Sequence, residues 1–348
     1  MNSYRTFLIT SAIVLVVLVL ATGCSWPSKT AAGKPEKPLV TEIKPKPEKP
    51  RPSIELALKF AVGDVSTYKV TTEATKSVLW EGPEQTKPSA FKGGYTSNRI
   101  ELTFDQEIRS IAENGNAVAE VTIKQLKYLA KVRDNVIVDF DSSRDQDSPL
   151  QKLIGRSYSI EITPAGQVPK VTKVAEVLSD IKGSTSAQRA ARELLSDQTV
   201  KQRHSIPALP AVGKSRPNKG DSWRNLKSFD FGMMGTKSYE RVYQFEGVHE
   251  SSKGRVAVVV MNAVPSTGNA AKPANEQAAG FLSKLFDNTE EYTGRLQMNL
   301  DRGKVDQYTE ELKSEWVAVD PESVQKDDQE PAILRMTAVH FYQIVRID

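Results

Sequence analysis

A single cysteine, Cys24, serves a chain of 348 residues. With one thiol no disulfide forms within the chain, so whatever fold it adopts stands on buried apolar side chains. Cys24 lies just beyond an apolar run, Phe7 to Ala21, broken only by Thr10 and Ser11 and preceded by one positive charge, Arg5. A run of about 15 residues suits the core of a signal peptide and falls short of the ~20 residues of a spanning helix.

Three small residues, Ala21, Thr22 and Gly23, lead into the thiol. This arrangement resembles the bacterial lipobox, with Ala21 where leucine is more usual and Leu20 beside it. The resemblance implies a diacylglycerol on the Cys24 sulfur and cleavage just before it, so that residues 1–23 are a signal peptide. The alternatives are an uncleaved anchor helix ending in a free thiol, and a plain secretory signal cut nearby. Each buried methylene contributes about 0.8 kcal/mol and one chain holds only marginally, so a multiply acylated Cys24 anchors the protein to a membrane. Ser25 follows in place of aspartate. In enteric bacteria that resemblance implies the outer membrane, facing the periplasm or the surface. With the thiol consumed, thiol catalysis, iron–sulfur clusters and cysteine zinc sites are excluded from the body.

Residues 24–53 read as a tether. Seven prolines alternate there with Lys29, Lys34, Lys37, Lys44, Lys46, Lys49 and Arg51. Proline removes backbone donors and favours an extended chain, giving a semi-stiff spacer that reaches on the order of 90 Å when fully drawn out. The spacer's seven basic and three acidic residues, with Arg5, more than account for the formal charge of +4, which leaves residues 54–348 at −1. A body near neutrality carries no electrostatic footprint for nucleic acid.

The body, about 295 residues, repeats itself. "VGDVSTYKV" at Gly63 is echoed by "KGDSWRNLK" at Gly220, "ENGNAVAEVTI" at Gly115 by "SKGRVAVVVMN" at Gly254, and "GRSYSIEITPAGQVPKV" at Gly155 by "GRLQMNLDRGKVDQY" at Gly294. Gly115 to Gly155 and Gly254 to Gly294 are both 40 residues apart. The first half carries extra residues in "WEGPEQTKPSAFKGGYT", a long loop. Glycine at 115, 166, 254 and 303 permits the positive φ of hairpin turns. Alternation places Tyr158, Ile160 and Ile162 on one side of a strand, and Leu296, Met298 and Leu300 likewise. "VAVVVM", Val256 to Met261, predicts a strand buried on both faces. The expected fold is therefore β-rich α+β, with two related antiparallel meanders, curved sheets or half-barrels, over residues 54–205 and 206–348.

Two helices are predicted. Near 186–203, Thr185 and Gln188 form a capping-box pattern ahead of Ala187, Ala190, Ala191, Leu194 and Leu195. Near 274–287, Ala278, Phe281, Leu282, Leu285 and Phe286 form a second apolar stripe. The Gly-Asp-x-aromatic landmark, "GRSYSIEITPAGQV" and "PALPAVGKSRPNKGDSW" together resemble an uncharacterised domain family of bacterial envelope lipoproteins over most of residues 57–318. That resemblance implies location and fold and carries over no catalytic residue. A looser architectural similarity is to periplasmic carriers whose curved sheet wraps acyl chains.

Catalytic signals are missing. His204, His249 and His340 are scattered, without the local ligand pair usual in zinc sites. "GKS" at Gly213 lacks the earlier glycine of a phosphate loop, where Ala208 stands instead. "DFDSSRDQD" has Gln146 and Lys152 where a calcium loop counted from Asp141 needs glycine and glutamate, so it reads as a solvated loop. Trp223 and Trp316 read as core; Trp80, at the edge of the long loop, is either packed there or, less favoured, an exposed contact aromatic. The reading is a lipid-anchored, non-enzymatic binding or structural module of the cell envelope. It has no catalytic residue, metal or cofactor. Its partners are the membrane through Cys24 and a hydrophobic ligand such as lipid. The alternatives are an envelope protein–protein interaction module and, less favoured, an envelope hydrolase.

Overall fold

The computed structural model describes residues 54–84, 87, 89, 91–252, 254–266, 286–319 and 331–348. The signal peptide, the tether and nearly all of the helix expected over 274–287 lie outside them. Where that helix was to end, Asp287 already opens a strand.

The first half runs β1 (Val65–Glu81), β2 (Gly94–Ile111), β3 (Ala117–Val132), β4 (Asn135–Asp141), β5 (Ser157–Ile162) and the short β6 (Lys170–Thr172). Three helices follow: α1 (Val174–Leu178), α2 (Ser186–Leu194) and α3 (Asp197–His204). The second half runs β7 (Ser222–Asp230), β8 (Thr236–Ser251), β9 (Gly254–Ser266), β10 (Asp287–Asn299), β11 (Lys304–Val319) and β12 (Ile333–Arg346).

The two halves are not separate sheets. All pairings are antiparallel, in one open 12-stranded sheet ordered β6-β5-β3-β2-β1-β12-β11-β10-β9-β8-β7, with β4 beside the outer part of β3. The expectation of two β subdomains is corrected by the β1–β12 seam, which pairs continuously from Tyr68↔Arg346 to Glu81↔Ile333. The landmark strands keep one order in both halves: β6-β5-β3-β2-β1 is matched by β11-β10-β9-β8-β7, and β12 fills the joint. The chain therefore starts mid-sheet, meanders to one edge, crosses by way of the helices to the far edge, and meanders back.

Alternation decides which face is buried. Tyr158, Ile160 and Ile162 of β5 point inward and are buried, as are Leu296 and Met298 of β10. "VAVVVM" is only partly buried on both faces: Ala257, Val259 and Met261 are inside, Val258 is covered on the outer face, and Val256 and Val260 are half-exposed. The sheet curls strongly. In flat array, β7 would lie five strand spacings, roughly 24 Å, from β12, yet the rings of Phe229 on β7 and His340 on β12 are 4.9 Å apart. Aromatic side chains thus fill the concave face of the second half from within.

Helices fill the first half. The helix expected near 186–203 is two helices, because Ser196 caps a new start by accepting from Thr199 N–H. The capping box of Thr185 and Gln188 opens α2 as its sequence pattern predicts. From α3, His204 packs its ring 4.7 Å from Phe104 on β2, and Tyr342 of β12 donates to the Arg203 carbonyl. The entry segment laces the halves at their equivalent turns: Leu58 N–H donates to Pro164 O and Lys59 N–H to Gly303 O.

Candidate functional site

Between α3 and β7 the concave face stays open as a cleft of about 700 Å³. Val70, Ile100 and Leu102 of β1 and β2 form an apolar floor, Tyr342 and His340 of β12 continue it, and Lys201, Gln202 and Arg203 of α3 make one wall. Beneath it lies a buried polar cluster. The Glu310 carboxylate of β11 accepts from Lys227 Nζ at 2.6 Å, Arg241 at 2.9 Å, Tyr292 Oη at 2.9 Å and Tyr308 Oη at 3.0 Å. Lys227 alone bonds Oε1, while Oε2 accepts the other three donors. Arg241 also donates through Nε to Asn225 Oδ1, and Asn225 in turn donates to Pro207 O on the linker that follows α3.

Electrostatics follow from these contacts. Burial alone raises the Glu310 pKa, but the Lys227 and Arg241 charges outweigh it and hold the group at about 2. Burial, reinforced by that carboxylate, pushes the Tyr292 hydroxyl far up. Burial, then the charges of Lys76 and Lys227, lowers His340 to about 4, so its imidazole is neutral near pH 7. His340 Nε2 is buried and has no hydrogen-bond partner among the described residues.

The second wall of the cleft is a strand edge. Leu226, Lys227, Ser228, Phe229 and Asp230 all line it. Successive strand residues point to opposite faces, so five in a row meet one cavity only along the backbone. The hydrogen bonding agrees. Phe231 N–H donates to Gly235 O and Phe245 N–H to Asp221 O at the two ends of the β7–β8 hairpin. The register between them is unbroken. Odd-numbered residues of β7 therefore direct their backbone groups to β8, and Ser222, Arg224, Leu226, Ser228 and Asp230 turn theirs away. The Asp230 carbonyl receives Lys76 Nζ at 3.4 Å. The backbone groups of Leu226 and Ser228 have no partner among the described residues.

The other singled-out residues are placed as follows. His204 is buried against Tyr158, with Nε2 and Oη 2.7 Å apart, and its pKa is lowered by burial and then by Arg203. His249 is exposed on β8. The three histidines stand on different elements, and no cluster of three or more His, Cys, Asp or Glu that could hold a metal occurs among the described residues. Three of the four aspartates in the acidic run are paired: Arg144 bridges Asp139 and Asp145, while Asp141 takes Lys127 and both donors of Ser143. "GKS" has a backbone role, with Ser215 O accepting from Leu56 N–H. Trp316 is core, and Trp223 is half-buried and stacked on Tyr243. Trp80 takes the packed alternative: it is half-buried against Phe91 because alternation turns it to the inner face of β1. Cys24 lies outside the described residues, among which no helix is long and apolar enough to cross a membrane.

The fold and cleft define a curled, single-sheet antiparallel protein with a helix-walled groove. No family model matches the chain, and no curated protein matches it. Among solved structures it is similar to lipovitellin, from a structure concerned with lipid–protein interactions. The identity is 10% and the TM-score 0.40, over 83% of this chain and 26% of that one, so the chain spans about a quarter of lipovitellin's length. It is also similar to DynF of the dynemicin biosynthesis pathway of Micromonospora chersina, at 8% identity and TM-score 0.18, over 90% of this chain and 94% of that one. Scores and identities this low carry no argument about function.

Proposed function

We propose that this protein is a lipid-anchored, non-enzymatic binding module of the bacterial envelope, whose cleft between α3 and β7 holds an elongated ligand with an apolar side. The lipobox resemblance supports anchoring through Cys24, on the outer membrane facing the periplasm or the surface, and the resemblance to envelope lipoproteins supports the location. The observation that carries the ligand site is the cleft itself. At about 700 Å³, with the apolar floor of Val70, Ile100 and Leu102, it has the size of a ligand pocket.

A non-enzymatic role is supported by the state of the charged groups. Glu310 is ionised, held at about 2 by Lys227 and Arg241, which leaves it poorly suited to move a proton near neutral pH. Arg241 and Lys227 are turned toward Glu310. The same polar elements weigh against a ligand that is hydrocarbon throughout, because part of the cleft wall is backbone that asks for hydrogen bonds.

The test is uptake of two probes, the fluorescent polyene cis-parinaric acid and a pool of short extended peptides, by the purified protein and by Ile100→Trp, which fills the cleft from its floor. Binding of either probe that the substitution abolishes supports the site. Failure of both probes to bind, or binding that ignores the substitution, would remove it.

A further inference from the structure

We propose that the cleft takes an extended peptide segment of another protein, added as a further strand along the edge of β7 that no other described strand pairs. The proposal deepens the binding reading above and rests on it.

From Leu226 to Asp230 the cleft is walled by a strand whose outward backbone groups, those of Leu226 and Ser228, are without partners among the described residues. Bare backbone beside an apolar floor is satisfied by water or by a ligand carrying donors and acceptors at strand spacing. An alkyl chain has neither. An extended peptide has both, repeating every two residues as the outward groups of β7 do.

The geometry suits such a segment. A new strand lies about 4.8 Å from its neighbour, and the stretch from Leu226 to Asp230 extends roughly 13 Å, room for four or five added residues. Alternate side chains of the added strand would face inward, toward Phe229, Tyr292 and His340, where an apolar or aromatic side chain packs against rings. The neutral His340 ring stands in that lining and adds a further aromatic surface for the incoming side chain. Across the cleft, Lys201 and Gln202 of α3 face the other edge of the segment.

Of the devices that blunt an edge strand, β7 carries charges at Arg224, Lys227 and Asp230 but neither proline nor bulge. It runs nine residues, and Leu226 on its outer face is 48% exposed.

The test uses the full chain and a pool of synthetic eight-residue peptides alternating apolar and polar positions, with the selected peptide measured by fluorescence anisotropy. Leu226→Pro removes an N–H that points away from β8, so pairing and thermal midpoint are kept, since proline is tolerated on an edge strand. We expect Leu226→Pro to weaken peptide binding at least tenfold and Leu226→Ala to change it less than threefold. If the proline variant loses thermal stability, amide exchange in the unaltered chain decides: the bound peptide should slow exchange at Leu226 and Ser228. Peptide binding that is indifferent to Leu226→Pro, with no slowing at those amides, overturns the proposal. Uptake of cis-parinaric acid without any peptide overturns it while leaving the binding reading intact. A concentration-dependent dimer abolished by Leu226→Pro assigns the edge to a second copy and overturns it too. Failure of both probes removes the proposal and the binding reading together.

Discussion

Arg241 on β8 and Glu310 on β11 meet at 2.9 Å across the concave face of the curled sheet, each less than a tenth exposed. Removing one partner of such a pair leaves the other charge buried and uncompensated, and here two cations, Arg241 and Lys227, would be stranded. We expect Glu310→Gln to lower the unfolding free energy by about 3–5 kcal/mol, read from urea denaturation. Glu315→Gln, which removes one of the two carboxylates on Arg335 and leaves Glu81 in place, should leave the midpoint nearly unchanged. Equal effects from the two substitutions would mean that the Glu310 cluster is not the buried network described.

Stability should fall on the acid side in a set order. His340 titrates at about 4 in the folded protein against an ordinary 6.5, so between those values only the unfolded chain gains its proton. Its contribution is complete above pH 6.5 and declines as pH falls to 4. His204, lowered by burial, acts in the same direction. Glu310, held at about 2 against an ordinary 4.5, adds a further loss as pH falls from 4.5 through 2. Melting temperatures should drop stepwise from pH 7 to pH 4, and His340→Phe should flatten that slope. A melting temperature constant over this range would contradict the burial of both imidazoles.

Gly303 tests the lacing of the two halves. Its φ is +62°, and a Cβ built there lies 2.4 Å from Lys59 Cγ, while Gly213, at φ +88°, has open space around it. Each substitution to alanine carries the left-handed cost of about 1–2 kcal/mol, and only the one at 303 also displaces the entry segment. Gly303→Ala should therefore destabilise more than Gly213→Ala in parallel denaturation curves. The reverse order would show that the entry segment contributes little.

The anchoring proposal has its own assay. Cys24→Ser should abolish incorporation of a clickable fatty acid and leave an unprocessed chain of higher mass. Labelling that survives the substitution would place the acyl group elsewhere or nowhere.

Much of the strand layout was legible because alternation and turn glycines report burial locally: Tyr158, Ile160 and Ile162 needed only a period of two. The seam between β1 and β12 was not legible, since it joins residues nearly the whole chain apart and no local signal marks it. The break at Ser196 was readable as a second N-cap but was hidden inside a continuous run of helix-forming residues. The buried charged cluster beneath the cleft was also readable. Tyr308, Leu312 and Trp316 fall on the inward positions of β11, which places Glu310 among them, and the same count puts Lys227 and Arg241 inside. No local motif marks them, because their chemistry comes from strands that only the curled sheet brings together.

Whether the cleft is where this protein meets its ligand is settled in cells. A photo-crosslinking amino acid placed at Lys201, on the α3 wall, should give a mass-shifted adduct that Ile100→Trp removes. The same probe at Lys313, exposed on β11, should give none. Adducts from position 313 alone, or adducts at 201 that persist when the cleft is filled, would contradict the account.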